Sequence, residues 1–253
     1  TGVVSSDTFA QAVAQVAVAA GRDDSLPTLT GVHVEITEET VTLAATDRYR
    51  LAVREFTWNP SQPGVATTAL LRGRTIADAA KSLAGSKEVS LSLAPTTTND
   101  RLAGFAGSGK TMTSRMLDGT FPPYRHLLDQ NIISTAVIEV APFLDSVRRV
   151  ALVTDKTVPL RLEFNGTTVS LEAGAGEEAQ ATEAIDILLN GEPISIAFNP
   201  TFLSDGLQAV GTPFVQISFT GSNKPAILMG KNEATGSAVE NYRYLLMPMR
   251  YAS

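Results

Sequence analysis

Residues 9–20, FAQAVAQVAVAA, and residues 143–153, FLDSVRRVALV, decide how the fold is read. In the first stretch Phe9, Val13, Val16, Ala17 and Ala20 recur at helical spacing, with Ser6 placed to cap the start and Gly21 to close the end. In the second, Phe143, Val147, Val150 and Ala151 repeat the pattern of Phe9, Val13, Val16 and Ala17 134 residues later. The same helix therefore occurs twice. Working outward, each is followed by two alternating, strand-like runs: 31–36 GVHVEI and 40–45 TVTLAA in the first copy, 160–164 LRLEF and 168–173 TVSLEA in the second. Thr37 to Glu39 and Asn165-Gly166 supply the turns. A second helix then appears in each copy, 74–83 RTIADAAKSL and 201–210 TFLSDGLQAV, followed by the strands 88–93 EVSLSL and 214–219 FVQISF at an offset of 126 or 127 residues. The reading is an α+β chain of two repeated domains, 1–130 and 131–253, dividing near Asp129 to Ser134 after the Pro122-Pro123 turn.

The bulk numbers limit what such a chain does. With 253 residues and 43% apolar side chains it fills two cores. No apolar run approaches the roughly 18 residues that a membrane span needs, and no export signal opens the sequence. The absence of cysteine removes disulfides and thiolate metal sites and fits a reducing compartment, so the cytoplasm is expected. A net charge of −6 argues against coating nucleic acid through a broad basic face, because such binding is driven by counterion release from phosphates. A small, locally basic surface stays open to DNA.

The motifs that suggest catalysis are weak in context. GFAGSGKT, Gly104 to Thr111, satisfies the phosphate-loop pattern, but that loop works between a buried parallel strand and a helix. The next six residues, MTSRML, alternate like an edge strand and lead to Phe121-Pro122-Pro123. A glycine-rich hairpin is expected, and a nucleotide-binding enzyme is the rival reading. The two histidines, His33 in a strand and His126 beside the Pro-Pro turn, give almost no material for a metal site or a triad. The acidic pairs Asp23-Asp24, Glu38-Glu39 and Glu177-Glu178 fall in turns, where solvated charge is the ordinary role. Trp58 reads as an edge packing residue. No cofactor, metal or catalytic residue is expected.

Three further segments carry the specific signal: 44–53 AATDRYRLAV, 117–128 LDGTFPPYRHLL and 244–250 YLLMPMR, supported by 21–32 GRDDSLPTLTGV and 198–207 FNPTFLSDGL. Together they resemble the middle and last domains of the bacterial DNA polymerase III β subunit, the sliding clamp, in the style of its actinobacterial members. The resemblance implies clamp domains with antiparallel sheets outside and two helices inside. It implies a non-catalytic processivity factor that encircles duplex DNA and binds linear motifs of polymerases, the clamp loader and repair proteins at the junction of the two domains. Carried over position by position, a deep apolar subsite would use Leu29, Thr46, Tyr49, Arg50, Leu51, Pro122, His126, Leu127, Leu245 and Met247. A shallower approach would use Leu246, Pro248, Met249 and Arg250. Arg48-Tyr49 replaces the smaller Gly-His pair of some members, and His126 stands where arginine is common, which alters the rim.

Arg22, Arg74, Lys81, Arg148 and Arg149, on or beside helices, are the candidates to face phosphates. Family members have three domains and close head to tail as dimers, first domain to last. If nothing precedes Thr1, this two-domain chain is expected to be a monomer, or to associate only weakly and in a non-native way, with its peptide pocket intact. A free-standing peptide-binding adaptor without a DNA role is the second rival.

Overall fold

The computed structural model describes residues 1–94, 101–153, 158–174 and 180–250. They form two compact units, Thr1–Pro123 and Tyr124–Ser253. The division comes ahead of the Asp129 to Ser134 boundary expected from sequence. The reason lies in what the segment joins: residues Leu128 to Ile132 border one groove with Ser218, Ile227, Met229 and Arg243, and Ile133 N–H donates to the Phe219 carbonyl at 2.8 Å. The segment after the prolines thus belongs to the second sheet system.

In chain order unit 1 comprises β1 (Gly2–Ser5), α1 (Ser6–Ala17), a 3-10 turn (Pro27–Thr30), β2 (Gly31–Thr37), β3 (Thr40–Thr46) and β4 (Arg50–Thr57). It continues with β5 (Asn59–Pro60), β6 (Ala66–Arg72), α2 (Gly73–Leu83), β7 (Glu88–Leu93), β8 (Leu102–Gly107) and β9 (Lys110–Arg115). Unit 2 opens with a short helix, α3 (Arg125–Leu128), and repeats the same order. It runs β10 (Ser134–Glu139), α4 (Val140–Ala151), β11 (Leu160–Asn165), β12 (Thr168–Ala173), β13 (Ala181–Asp186) and β14 (Leu188–Gly191). β15 (Ile194–Phe198), α5 (Pro200–Ala209), β16 (Phe214–Phe219), β17 (Ala226–Lys231) and β18 (Ala238–Leu246) complete it. The sheets correspond as well: β5-β1-β7-β8-β9 and β4-β3-β2-β6 in unit 1 match β14-β10-β16-β17-β18 and β13-β12-β11-β15 in unit 2. The repeat read from the two helices is therefore a repeat of topology.

Within each unit the two helices pack against each other and against the strands. α1 buries Phe9, Ala12, Val13 and Val16, and α2 buries Ile76, Ala79, Ala80 and Leu83. Phe9 meets Phe105 of β8 with ring centroids 6.0 Å apart. α4 buries Phe143, Val147 and Val150, and α5 buries Leu203 and Leu207. Alternation along the strands supplies the other half of each core, as with Phe164 and Phe219, 4.7 Å apart. Gly206 is required to be small, since a Cβ there would stand 2.5 Å from the Tyr244 ring, whose hydroxyl donates to the Phe202 carbonyl at 2.8 Å.

The helix ends differ from the pattern by a turn. Ser5, not Ser6, caps α1, its hydroxyl accepting from Thr8 N–H at 3.2 Å. Beyond Ala17 the chain tightens into three-residue turns, Ala19 to Val16 at 3.0 Å and Ala20 to Ala17 at 3.2 Å. Gly21 N–H is held by the Leu29 carbonyl at 2.7 Å and closes a loop instead of a helix. Asn199 caps α5 by accepting from the N–H groups of Thr201 and Phe202, with Pro200 in the first turn.

Candidate functional site

GFAGSGKT folds as a hairpin. β8 and β9 are antiparallel neighbours, and Ser108 (φ 47°) and Gly109 (φ 76°) both take left-handed backbone, the requirement of a type I′ turn. Lys110 Nζ donates to the Ser82 carbonyl at 2.9 Å, and the turn is followed by the strand β9 where a phosphate loop would open a helix. His33 stacks on Phe121, ring centroids 5.1 Å apart, while His126 is exposed on α3. Among the described residues no three histidine or carboxylate groups gather where a metal would sit. Trp58 is buried and donates from Nε1 to the Glu38 carbonyl at 2.8 Å, a packing role. Of the acidic pairs, Asp24 binds Arg72 at 2.9 Å, the Ser25 hydroxyl and N–H hold the Asp23 carboxyl below its usual range, and Glu38-Glu39 turns the chain between β2 and β3. Glu177-Glu178 lies outside the described residues.

In unit 1 the segment between β3 and β4 is built around one carboxylate that sequence reading passed over. Asp47 accepts from Tyr49 N–H at 3.0 Å, Arg50 N–H at 3.1 Å and Arg50 Nε at 2.9 Å. The Thr46 hydroxyl donates to the Arg50 carbonyl at 2.7 Å and accepts from Arg48 N–H at 3.2 Å. Arg50 is thereby buried and paired, not a free rim cation, whereas Tyr49 projects with 58% of its surface exposed. Arg48 pays for the tight turn with a φ of 79°. Leu51 is core, Leu29 is half-buried in the 3-10 turn, and Pro122 is exposed after the buried Phe121.

In unit 2, β18 delivers Leu245 and Leu246 into the core and then releases the chain. Met247 is exposed, Pro248 and Met249 are half-buried, and Arg250 is exposed. Met249 N–H donates to the Ala197 carbonyl at 2.8 Å, which holds the segment beside β15. The result is a groove of about 710 Å³ lined by Met247, Pro248, Met249 and Arg250, with Ser195, Ser222 and Asn223 opposite. Those last three escaped sequence reading because strand register brings them there from β15 and from the turn before β17; only the polar run Gly221 to Lys224 marked that turn. His126 is exposed and Leu127 half-buried on α3.

Of the basic candidates, Arg22, Arg74 and Lys81 are exposed, and the first two line a cavity of about 230 Å³ with Arg72 and Asp24. Arg148 is exposed, 4.0 Å from Asp145. Arg149 is different from what its sequence position suggested. Its Nε and Nη2 donate to the two oxygens of Glu183 at 2.8 and 2.7 Å, and Nη2 also reaches the Ser146 hydroxyl at 3.0 Å. The Arg149 guanidinium, with help from Ser146, holds the Glu183 carboxyl down to about 2. A bidentate pair of this kind leaves little of the Arg149 charge for a phosphate.

The two units coincide with two family models: residues 3–123 match the DNA polymerase III beta subunit central domain, and residues 125–250 match its C-terminal domain. The chain belongs to the DNA polymerase III beta subunit family. Within that family it is 50% identical, over 99% of its length, to the beta sliding clamp of Streptomyces coelicolor, of which it covers 66%. It is 40% identical over the same share to the beta sliding clamp homolog GriR of Streptomyces muensis, again covering 66%. Among solved structures, the Bacillus subtilis sliding clamp superposes with a TM-score of 0.89 at 22% identity, covering all of this chain and 65% of that one. A Pseudomonas aeruginosa sliding clamp bound to griselimycin superposes with a TM-score of 0.88 at 22% identity, with 98% of this chain and 65% of that one covered. The chain thus spans about two thirds of the beta sliding clamps it matches, and the 46–50 turn belongs to the central domain while the Met247 groove belongs to the C-terminal one.

Proposed function

We propose that this chain works as a sliding clamp: a non-catalytic protein that travels on duplex DNA in the bacterial cytoplasm and holds polymerases and other DNA-processing partners by their linear motifs. Confinement on the duplex keeps a bound polymerase at high local concentration, so release from the primer end is followed by rebinding. The observation that carries the reading is the groove beside Met247 to Arg250, in a chain whose two units both match the beta subunit family. Its chemistry suits a short peptide: the two methionines and Pro248 offer an adaptable apolar floor for a leucine or phenylalanine, and Arg250 with the polar side chains opposite can meet backbone carbonyls or a carboxylate. Tyr49, Arg48, Thr46, Leu29 and Pro122 in unit 1, and His126 and Leu127 in unit 2, are further ligand-contacting residues in this reading. Arg50, Leu51, Leu245 and Leu246 act from beneath, since they are buried. The griselimycin complex of the Pseudomonas aeruginosa clamp supports a ligand-taking surface on this fold. Arg22, Arg74, Lys81 and Arg148 face the DNA, and Arg149 contributes less because Glu183 already holds it.

The test is a fluorescence anisotropy titration with a labelled peptide carrying a Gln-x-x-Leu-Phe motif. The expected dissociation constant is on the order of 1 µM, and Met247→Asp should weaken it about tenfold or more. Met247 is the right target because it is exposed, whereas a charge at Leu51 or Leu245 would unfold a core. A folded wild type that binds no peptide, or a Met247→Asp variant that binds equally well, would overturn the proposal.

A further inference from the structure

The sequence holds two Asn-Gly dipeptides, Asn165-Gly166 and Asn190-Gly191, and the fold treats them in opposite ways. Asn165 ends β11 and pairs with Thr168 of β12, which leaves Gly166 and Thr167 as the two-residue loop between the strands. Gly166 takes a φ of 59° as the first loop residue while Thr167 keeps ordinary backbone, the arrangement of a type II′ turn. Asn165, Gly166 and Thr167 are all exposed, and among the described residues no hydrogen bond engages the Asn165 carboxamide. The Thr167 carbonyl accepts from Ile187 N–H at 2.8 Å, a contact that spares the Asn165-Gly166 peptide, and the space beside Gly166 is open. Asn190 and Gly191 lie instead within β14, in register with Thr135 and Ser134 of β10. A Cβ on Gly191 would stand 2.5 Å from the Ile133 carbonyl oxygen, so the backbone there is packed against its neighbour.

We propose that Asn165 is a site of spontaneous covalent modification, deamidation through a cyclic imide with water as the co-reactant, and that the fold protects Asn190 from the same reaction. The main-chain nitrogen of Gly166, deprotonated by hydroxide, attacks Cγ of Asn165. The N–Cγ bond forms, the Cγ–Nδ2 bond breaks, and Nδ2 leaves as ammonia, carrying off a proton in place of the one that Gly166 gave up. Water then opens the imide: cleavage at Cγ yields aspartate, and cleavage at the main-chain carbonyl yields isoaspartate, whose backbone is longer by a methylene. Glycine favours ring closure because no side chain obstructs its nitrogen and its backbone turns freely. Closure also requires the Asn-Gly peptide to leave its resting geometry. At the hairpin that disturbs only the terminal pair Asn165 to Thr168, where strands open most readily, whereas at Gly191 it must draw the strand end away from Ser134 and Ile133. Each event adds a negative charge at the tip of the β11–β12 hairpin, and isoaspartate lengthens a turn whose two-residue loop sets the register. The site is separate from the Met247 groove and from the arginines assigned to DNA.

The experiment is incubation of the folded chain in mildly alkaline and in mildly acidic buffer, with a parallel sample in denaturant. Peptide mapping by mass spectrometry, with isoaspartate detection, follows Asn165 and Asn190 in each sample over time. In the folded chain Asn165 should convert about tenfold or more faster than Asn190, and faster in the alkaline buffer than in the acidic one. In denaturant the two rates should converge, which assigns the difference to the fold. Asn165→Gln, whose longer side chain would need a larger ring, should remove the product, and circular dichroism checks that this exposed-site variant is folded. An Asn165 that stays intact in the folded chain would overturn the proposal. So would equal rates at Asn165 and Asn190 in the folded chain, or a difference between them that persists in denaturant.

Discussion

The turn at Thr46 to Arg50 and the segment Met247 to Arg250 were singled out by the same kind of sequence signal, yet they are held in opposite ways. The turn is fixed from inside: one carboxylate, Asp47, takes three donors, Thr46 closes the loop, and Arg50 is buried as part of the frame. The C-terminal segment hangs from the end of β18 and is steadied by a backbone bond from Met249 to Ala197. One region is preorganised and displays Tyr49 on a rigid base. The other can adjust its methionines to a ligand.

The largest expected effect breaks the rigid region. Asp47→Ala removes the carboxylate from Arg50 and from two turn N–H groups, and should cost about 3 kcal/mol in thermal unfolding. A cost below about 1 kcal/mol would mean that the turn is not organised by Asp47. Met249→Pro attacks the loose region by deleting the N–H that binds Ala197. It should cost about 1 kcal/mol of stability while lowering peptide affinity more than it lowers the melting temperature. Arg48→Gly sharpens the contrast in the other direction. A non-glycine residue at φ 79° is strained, so glycine should raise stability by about 0.5–1 kcal/mol and subtract a charge from the rim.

The smallest effect lies outside both regions and calibrates them. The Glu183 carboxyl is lowered from 4.5 to about 2 by Arg149 first and Ser146 second. A depressed carboxyl stabilises the fold above its unfolded value and loses that contribution as pH falls from about 4.5 towards 2. With Arg149 largely in solvent, screening limits the effect to under about 1 kcal/mol, and Glu183→Gln should flatten that part of the stability profile.

The repeat was legible because Phe9 and Phe143 head the same apolar pattern and hairpin signals follow each at similar spacing. The glycine-rich hairpin was legible because the run after GFAGSGKT alternates like a strand where a phosphate loop needs a helix, and β9 occupies that run. What escaped depends on contacts distant in sequence. Leu246 looked like part of an open approach but is core, because β18 remains paired to β17 up to that residue. Arg149 looked free on its helix until β13 brought Glu183 within 2.7 Å. Asp47 was invisible because its work is done on the two residues after its neighbour, a turn geometry that composition does not announce. α1 stops short of Gly21 because the loop through Leu29 claims that glycine's N–H.

The proposed function puts a partner peptide on the segment after β18, and hydrogen exchange with and without a saturating motif peptide is the sharpest check. Exchange should slow at residues 247–250 and at Ser222 and Asn223, while the 46–50 turn stays slow in both states. Unchanged exchange at 247–250 under saturating peptide would contradict it.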